Sequence, residues 1–110
     1  MDDLKRTTSM SSLSNQPPKP WTFVTNHTQV LLVVSQDGDL RLREIALAVG
    51  ITERAAQRIV SDLIEAGYVT RERVGRRNHY VVNPKIKMRH PAQREHAVGR
   101  LLQVLSQEPD

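Results

Sequence analysis

Four side chains spaced on one helical face carry the most specific chemistry in this sequence. Arg54, Gln57, Arg58 and Ser61 follow an i, i+3, i+4, i+7 pattern, so a helix running through them presents all four on one side. A guanidinium can donate two parallel hydrogen bonds to guanine O6 and N7. A carboxamide can pair with the edge of adenine, and a hydroxyl can serve either. An α-helix fits the major groove, and its first turns reach the bases. Thr52 stands just ahead of this run, where its hydroxyl can cap the helix and the free first-turn amides can meet a phosphate. Glu53 suits the positive end of the helix dipole and can also accept from a cytosine amine. Exposed Arg and Gln are ordinary helix formers too, so this face taken alone serves equally as a solvated surface.

The next stretch repeats the charge sign. Arg71, Arg73, Arg76 and Arg77 stand against one acid, Glu72, and Asn78 and His79 follow directly. From Ile51 to His90 there are nine Lys and Arg against four acids, a local balance of +5 within a chain whose net charge is +4. The cationic excess is therefore concentrated here. Such a cluster can neutralise phosphates and make binding steeply salt-dependent. A charged edge also protects a hairpin from edge-to-edge aggregation, which is the plainer reading of the same residues.

The periodicity says what positions these groups. Leu42, Ile45, Ala46 and Val49 form one helical stripe, and Ala56, Ile59, Val60 and Leu63 form another. Between them Gly50 can end a helix in the left-handed conformation, Ile51 can drop into the angle, and Thr52 can start the next helix. Two helices joined by a short glycine-containing turn make a helix-turn-helix. Upstream, Thr25 or Asn26 can cap a helix through HTQVLLVVSQ, which Asp37-Gly38-Asp39 stops. Val30 to Val34 is apolar at every position, so this helix needs cover on more than one side. Leu40-Arg41-Leu42 alternates and predicts a very short strand, and Arg41 is a poor N-cap for the helix that follows.

Downstream, Gly67 ends the third helix. Tyr68 to Val74 and His79 to Val82 are β-favouring runs around the turn cluster Gly75-Arg76-Arg77-Asn78, predicting an antiparallel hairpin. Pro91 suits the first turn of a final helix to about Ser106, striped by Val98, Leu101, Leu102 and Leu105. Trp21 and Phe23, two of only four aromatics, are expected to anchor the start of the ordered chain on the core. Residues 1–20 are rich in Ser, Thr and Pro and read as a disordered tail, in which Lys5, Arg6 and Lys19 can brush a phosphate backbone. The division is a tail at 1–20, a domain at 21–84, and a linker with a C-terminal helix at 85–110.

Composition closes off other classes. The absence of cysteine excludes disulfides, thiolate metal sites and thiol redox sensing. His90 and His96 are six apart, off one helix face, and no cofactor or metal site is expected. No apolar run approaches the roughly 18 residues of a membrane span, so a cytoplasmic, nucleoid-associated protein is expected. No phosphate loop, nucleophile elbow or paired-carboxylate signature is present, and an enzyme is not expected. A pI near 10.0 favours a polyanionic partner.

Helix, helix-turn-helix and basic hairpin together resemble the winged helix-turn-helix of bacterial and archaeal regulators of the MarR and ArsR families, over about residues 21–84. The residues that carry the resemblance are Ile45-Ala46, Val49-Gly50-Ile51-Thr52, the exit Glu65-Ala66-Gly67-Tyr68-Val69 and the Arg-rich hairpin. The sequence departs from those families in having a single C-terminal helix and no cysteine. The resemblance implies an α+β, mostly α fold: a three-helix core and a β-hairpin wing, with an added C-terminal helix. It also implies a sequence-specific, double-stranded DNA-binding transcriptional regulator. Arg54, Gln57, Arg58 and Ser61 would lie on its recognition helix. Thr52, Arg71, Arg73, Arg76, Arg77, Asn78 and His79 would meet the backbone or minor groove.

A homodimer is expected through Val30, Val33 and Val34 of the first helix and Val98, Leu101, Leu102 and Leu105 of the last, matching two-fold DNA half-sites. The same stripe folded back within one chain would close a monomeric core. Two other readings remain open: a protein-binding module, and a small-ligand-responsive regulator with its pocket between the first and last helices.

Overall fold

A computed structural model describes residues 21–106, and the tail expected over residues 1–20 lies outside that range. The elements run α1 (Asn26–Gln36), α2 (Leu42–Val49), α3 (Glu53–Glu65), β1 (Val69–Val74), β2 (Arg77–Val82) and α4 (Val98–Ser106). This is the mostly helical α+β arrangement expected: three helices, a two-stranded antiparallel hairpin, then a last helix.

Local chemistry sets most of the boundaries. Thr25 Oγ1 accepts from the Thr28 amide at 3.3 Å and starts α1. The Asp37 carboxylate accepts from the Asp39 amide at 3.0 Å and turns the chain after it. Arg41 makes a poor cap, yet α2 starts there because the Glu44 carboxylate reaches back to the Arg41 amide at 2.8 Å, one half of a capping box. Gly50 takes φ 87° and ends α2, while Thr52 Oγ1 accepts from the Ala55 amide at 3.0 Å and starts α3. Ile51 lies half-buried against the core between them. The exit from α3 is a full Schellman closure: the Gly67 amide donates to Ile64 O and the Tyr68 amide to Leu63 O.

The core gathers around α1, which packs on α2, α3, β2 and α4. Val30, Leu31 and Val34 of α1 are buried with Ile45, Ile59 and Leu63. At about 1.5–3 kcal/mol for each large aliphatic side chain fully removed from water, this cluster is the main driving force for the fold. The extra cover that the apolar run of α1 requires comes from Tyr80 of β2 and from Val98 and Leu102 of α4.

That arrangement corrects the expected dimer face. Val30, Val34, Val98 and Leu102 are buried inside the single chain, because α4 folds back on α1. They present no surface to a second copy. Val33 and Leu101 are half-buried and Leu105 is exposed.

Three further expectations are corrected. Residues 40–42 form no strand; the sheet has only β1 and β2, and the preceding turn meets β2 through one backbone bond, Tyr80 N to Gly38 O at 2.8 Å. Trp21 and Phe23 do not anchor the chain. The core closes without them, and they stack edge-on against each other at 5.0 Å while 75% and 94% exposed. The last helix starts at Val98 rather than Pro91, and residues 91–96 form successive turns. That stretch offers no apolar face to bury, and short helices form where packing supports them. The chain before α4 is instead held by pairing of Lys87 with Ala97, and by the Val98 and Gly99 amides donating to Ile86 O and Pro84 O.

A candidate nucleic-acid interface

The second helix of the helix-turn-helix separates its residues as its spacing requires. Ala56, Ile59, Val60 and Leu63 are buried, whereas Arg54, Gln57, Arg58 and Ser61 are all exposed and line one shallow surface with Thr52. Thr52 is tied to the first turn by its cap bond, so the start of this face is rigid.

The hairpin stands beside it. β1 pairs with β2 in the register Val69↔Val82 through Val74↔Arg77, leaving a two-residue turn, Gly75-Arg76. Gly75 takes φ 63°, the positive value that the tight primed hairpin turns need. The turn is therefore shorter than the expected cluster of four: Arg77 and Asn78 already belong to β2. Directly opposite residues share a face of the sheet, so Arg71 accompanies Tyr80, Arg73 accompanies Asn78, and Glu72 accompanies His79. Arg71, Arg73, Arg76 and Arg77 are exposed, while Asn78 and His79 are half-buried.

Two of these hairpin residues are engaged inside the fold. His79 Nδ1 lies 2.6 Å from the Asp39 carboxylate, and the Arg77 guanidinium donates to Asp39 O at 2.8 Å. With the Tyr80–Gly38 bond, these contacts strap β2, from Arg77 beside the hairpin turn to Tyr80, to the α1–α2 turn. His79 accordingly faces that turn rather than the tip of the hairpin. Asp39 escaped the sequence reading because its partners lie some forty residues downstream. Arg41 and Arg43, exposed at the start of α2, were passed over as well. Helical spacing within α2 marks Arg43 as an outward residue, whereas Arg41 precedes the helix as its N-cap.

Among the described residues no three His, Cys, Asp or Glu side chains converge as a metal-holding group, and no helix is long and apolar enough to cross a membrane. A cleft of about 400 Å³ lies between α1, the end of α3 and α4, with Leu31, Tyr68, Met88, Val98 and Leu101 in its wall.

A three-helix core holding a helix-turn-helix, followed at once by a strapped β-hairpin, defines a winged helix-turn-helix protein. The chain belongs to the MarR family, whose model matches residues 23–77. It is accordingly a transcription regulator of the winged-helix type, in a family of regulators rather than enzymes. A search of curated proteins finds no match to the chain.

Proposed function

We propose that this protein is a sequence-specific regulator that binds double-stranded DNA as a homodimer, with α3 in the major groove and the β1–β2 wing on the adjacent minor groove or backbone. One observation carries the reading. The four base-reading side chain types Arg54, Gln57, Arg58 and Ser61 are exposed together on the helix whose opposite face is buried, next to a wing whose Arg71, Arg73 and Arg76 are also exposed. In this reading Thr52 and the wing arginines meet phosphates, and Arg77 and His79, in the half of β2 next to the hairpin turn, strap the wing to the α1–α2 turn. Pairing of two copies is supported by the apolar outer side of α4, where Val104 is 67% exposed and Leu105 and the half-buried Leu101 lie beside it at helical spacing. A cytoplasmic, nucleoid-associated location follows from the same function.

Selection of duplexes from a random pool tests it. The expected result is an enriched inverted repeat with half-sites about one helical turn apart, bound with steep salt dependence. Binding without enrichment, and only at low salt, would reduce the protein to a non-specific DNA binder.

Control by a small ligand is a second reading, favoured by the cleft of about 400 Å³ between α1 and α4. Its volume is within the range of small-molecule sites. A compound that raises the thermal midpoint and lowers duplex affinity would establish it; a ligand screen without any such compound would leave DNA binding alone. A protein-binding wing is disfavoured, because Val74 is the wing tip's one exposed large apolar residue against its arginines.

A further inference from the structure

A second basic surface lies away from α3's outer face. A cleft of about 570 Å³ opens between the first turn of α2 and the hairpin turn with the start of β2. Residues 40–44 form one wall, Arg76, Arg77, Asn78 and Tyr80 form the other, and Glu53 at the start of α3 closes one end. Four arginines thus face a single depression: Arg41 and Arg43 from the helix, Arg76 and Arg77 from the wing. Against them stand two carboxylates, and that of Glu44 already accepts from the Arg41 amide.

Among the described residues the ion pairs are His27–Asp62 and His79–Asp39, so none of the four guanidinium groups has a carboxylate partner. Arg77 is nevertheless fixed, because its bond to Asp39 O holds it against the turn. A held guanidinium facing three exposed ones suits an anion with several oxygens, since planar forks match phosphoryl geometry. The α2 wall adds its first-turn amides, which have no carbonyl to reach within their own helix, and the positive end of the helix dipole. Four guanidinium groups against two carboxylates leave the cleft with a net positive charge that favours a polyanion.

We infer that this cleft is a phosphoryl-binding site, clamped by Arg41 and Arg43 on one side and by Arg76 and Arg77 on the other. The phosphoryl group has two possible sources: the DNA backbone running between α2 and the wing, or a free polyphosphorylated molecule. Because the first source rests on the proposed DNA binding and the second does not, the test separates them.

The full chain is titrated calorimetrically with inorganic triphosphate at constant ionic strength and, separately, with the selected duplex. The variants are Arg43→Gln and Arg76→Gln, one from each wall, with Arg100→Gln on α4 as the charge-matched control outside the cleft. All three residues are exposed, so unchanged thermal midpoints are expected. Loss of about tenfold in affinity from each wall, but not from α4, is the expected signature of one charge-assisted contact per variant. Losses for both ligands, with triphosphate displacing the duplex, assign the site to the DNA backbone. The same assignment holds if only the duplex binding weakens. Loss for triphosphate alone assigns it to a free phosphorylated molecule. Equal affinities of wild type and Arg43→Gln toward both ligands would overturn the inference, whatever Arg76→Gln does. Failure of base reading by α3 would leave the triphosphate result intact.

Discussion

Replacing Gly38 by alanine isolates the strap between the α1–α2 turn and the wing. An added Cβ would lie 2.1 Å from Tyr80 O and 3.2 Å from His79 Cε1, and the first of these neighbours is backbone that cannot swing aside. Comfortable carbon–oxygen contact needs the turn and β2 to separate by on the order of 1 Å. That movement would stretch the Tyr80 N–Gly38 O bond, now 2.8 Å, to about 3.8 Å, beyond hydrogen-bonding range. One backbone hydrogen bond contributes about 1 kcal/mol and a forced backbone shift costs about 1–3 kcal/mol, so the variant should lose about 2–4 kcal/mol.

Gly50→Ala provides the comparison, since the two glycines fail for different reasons. An added Cβ at Gly50 meets nothing within 4 Å, but the residue sits at φ 87°, a conformation worth about 1–2 kcal/mol to an L-residue. Steric collision should therefore outweigh dihedral strain. In thermal unfolding followed by circular dichroism, Gly38→Ala should lower the midpoint by about 8 °C or more, and by more than Gly50→Ala does. Duplex affinity of the refolded variant should fall as the wing swings from its seat. A Gly38→Ala midpoint equal to or above that of Gly50→Ala would refute the strap as a structural constraint.

Other substitutions divide the remaining surfaces. Arg58→Ala should cost about 1–3 kcal/mol of binding to the selected site and flatten base preference at one position, whereas Arg76→Ala should weaken all sequences alike and reduce the salt slope by about one. Competition binding at several salt concentrations distinguishes the two, and identical profiles would undo the division into base-reading helix and phosphate-binding wing. Leu102→Ala should destabilise by about 2–5 kcal/mol in chemical denaturation, because Leu102 is 6% exposed and fills the core over α1. Val104→Asp, at a residue 67% exposed, should leave that stability within about 0.5 kcal/mol while shifting sedimentation from dimer to monomer. An unchanged sedimentation profile would remove α4 from the interface.

What the sequence disclosed was local or periodic. Gly50, Ile51 and Thr52 signal a helix end and a helix start within three residues, and the buried stripe of α3 follows from its own 3.6-residue spacing, so both were legible. The exposure of Arg54, Gln57, Arg58 and Ser61 was legible for the same reason. What escaped depends on partners distant in the chain. The start of α4 is set by pairing of Lys87 with Ala97 and by the close seat of Gly99 on Pro84, where a Cβ would come within 2.7 Å of the proline ring. The role of Asp39 depends on β2. The aromatic residues near the start misled because burial was inferred from type alone, and type does not reveal whether a core already has its full complement.

The return of α4 onto α1 also bears on how copies exchange. In an obligate dimer, separating the subunits uncovers core residues, and partners swap no faster than the protein unfolds. Here Val30, Val34, Val98 and Leu102 stay covered within one chain whether or not a second is present. Subunits joined through the outer side of α4 would therefore trade partners at the rate of a surface dissociation. A copy carrying a damaged α3 would mix into the intact population within that time, and each mixed pair would hold only one working half-site reader.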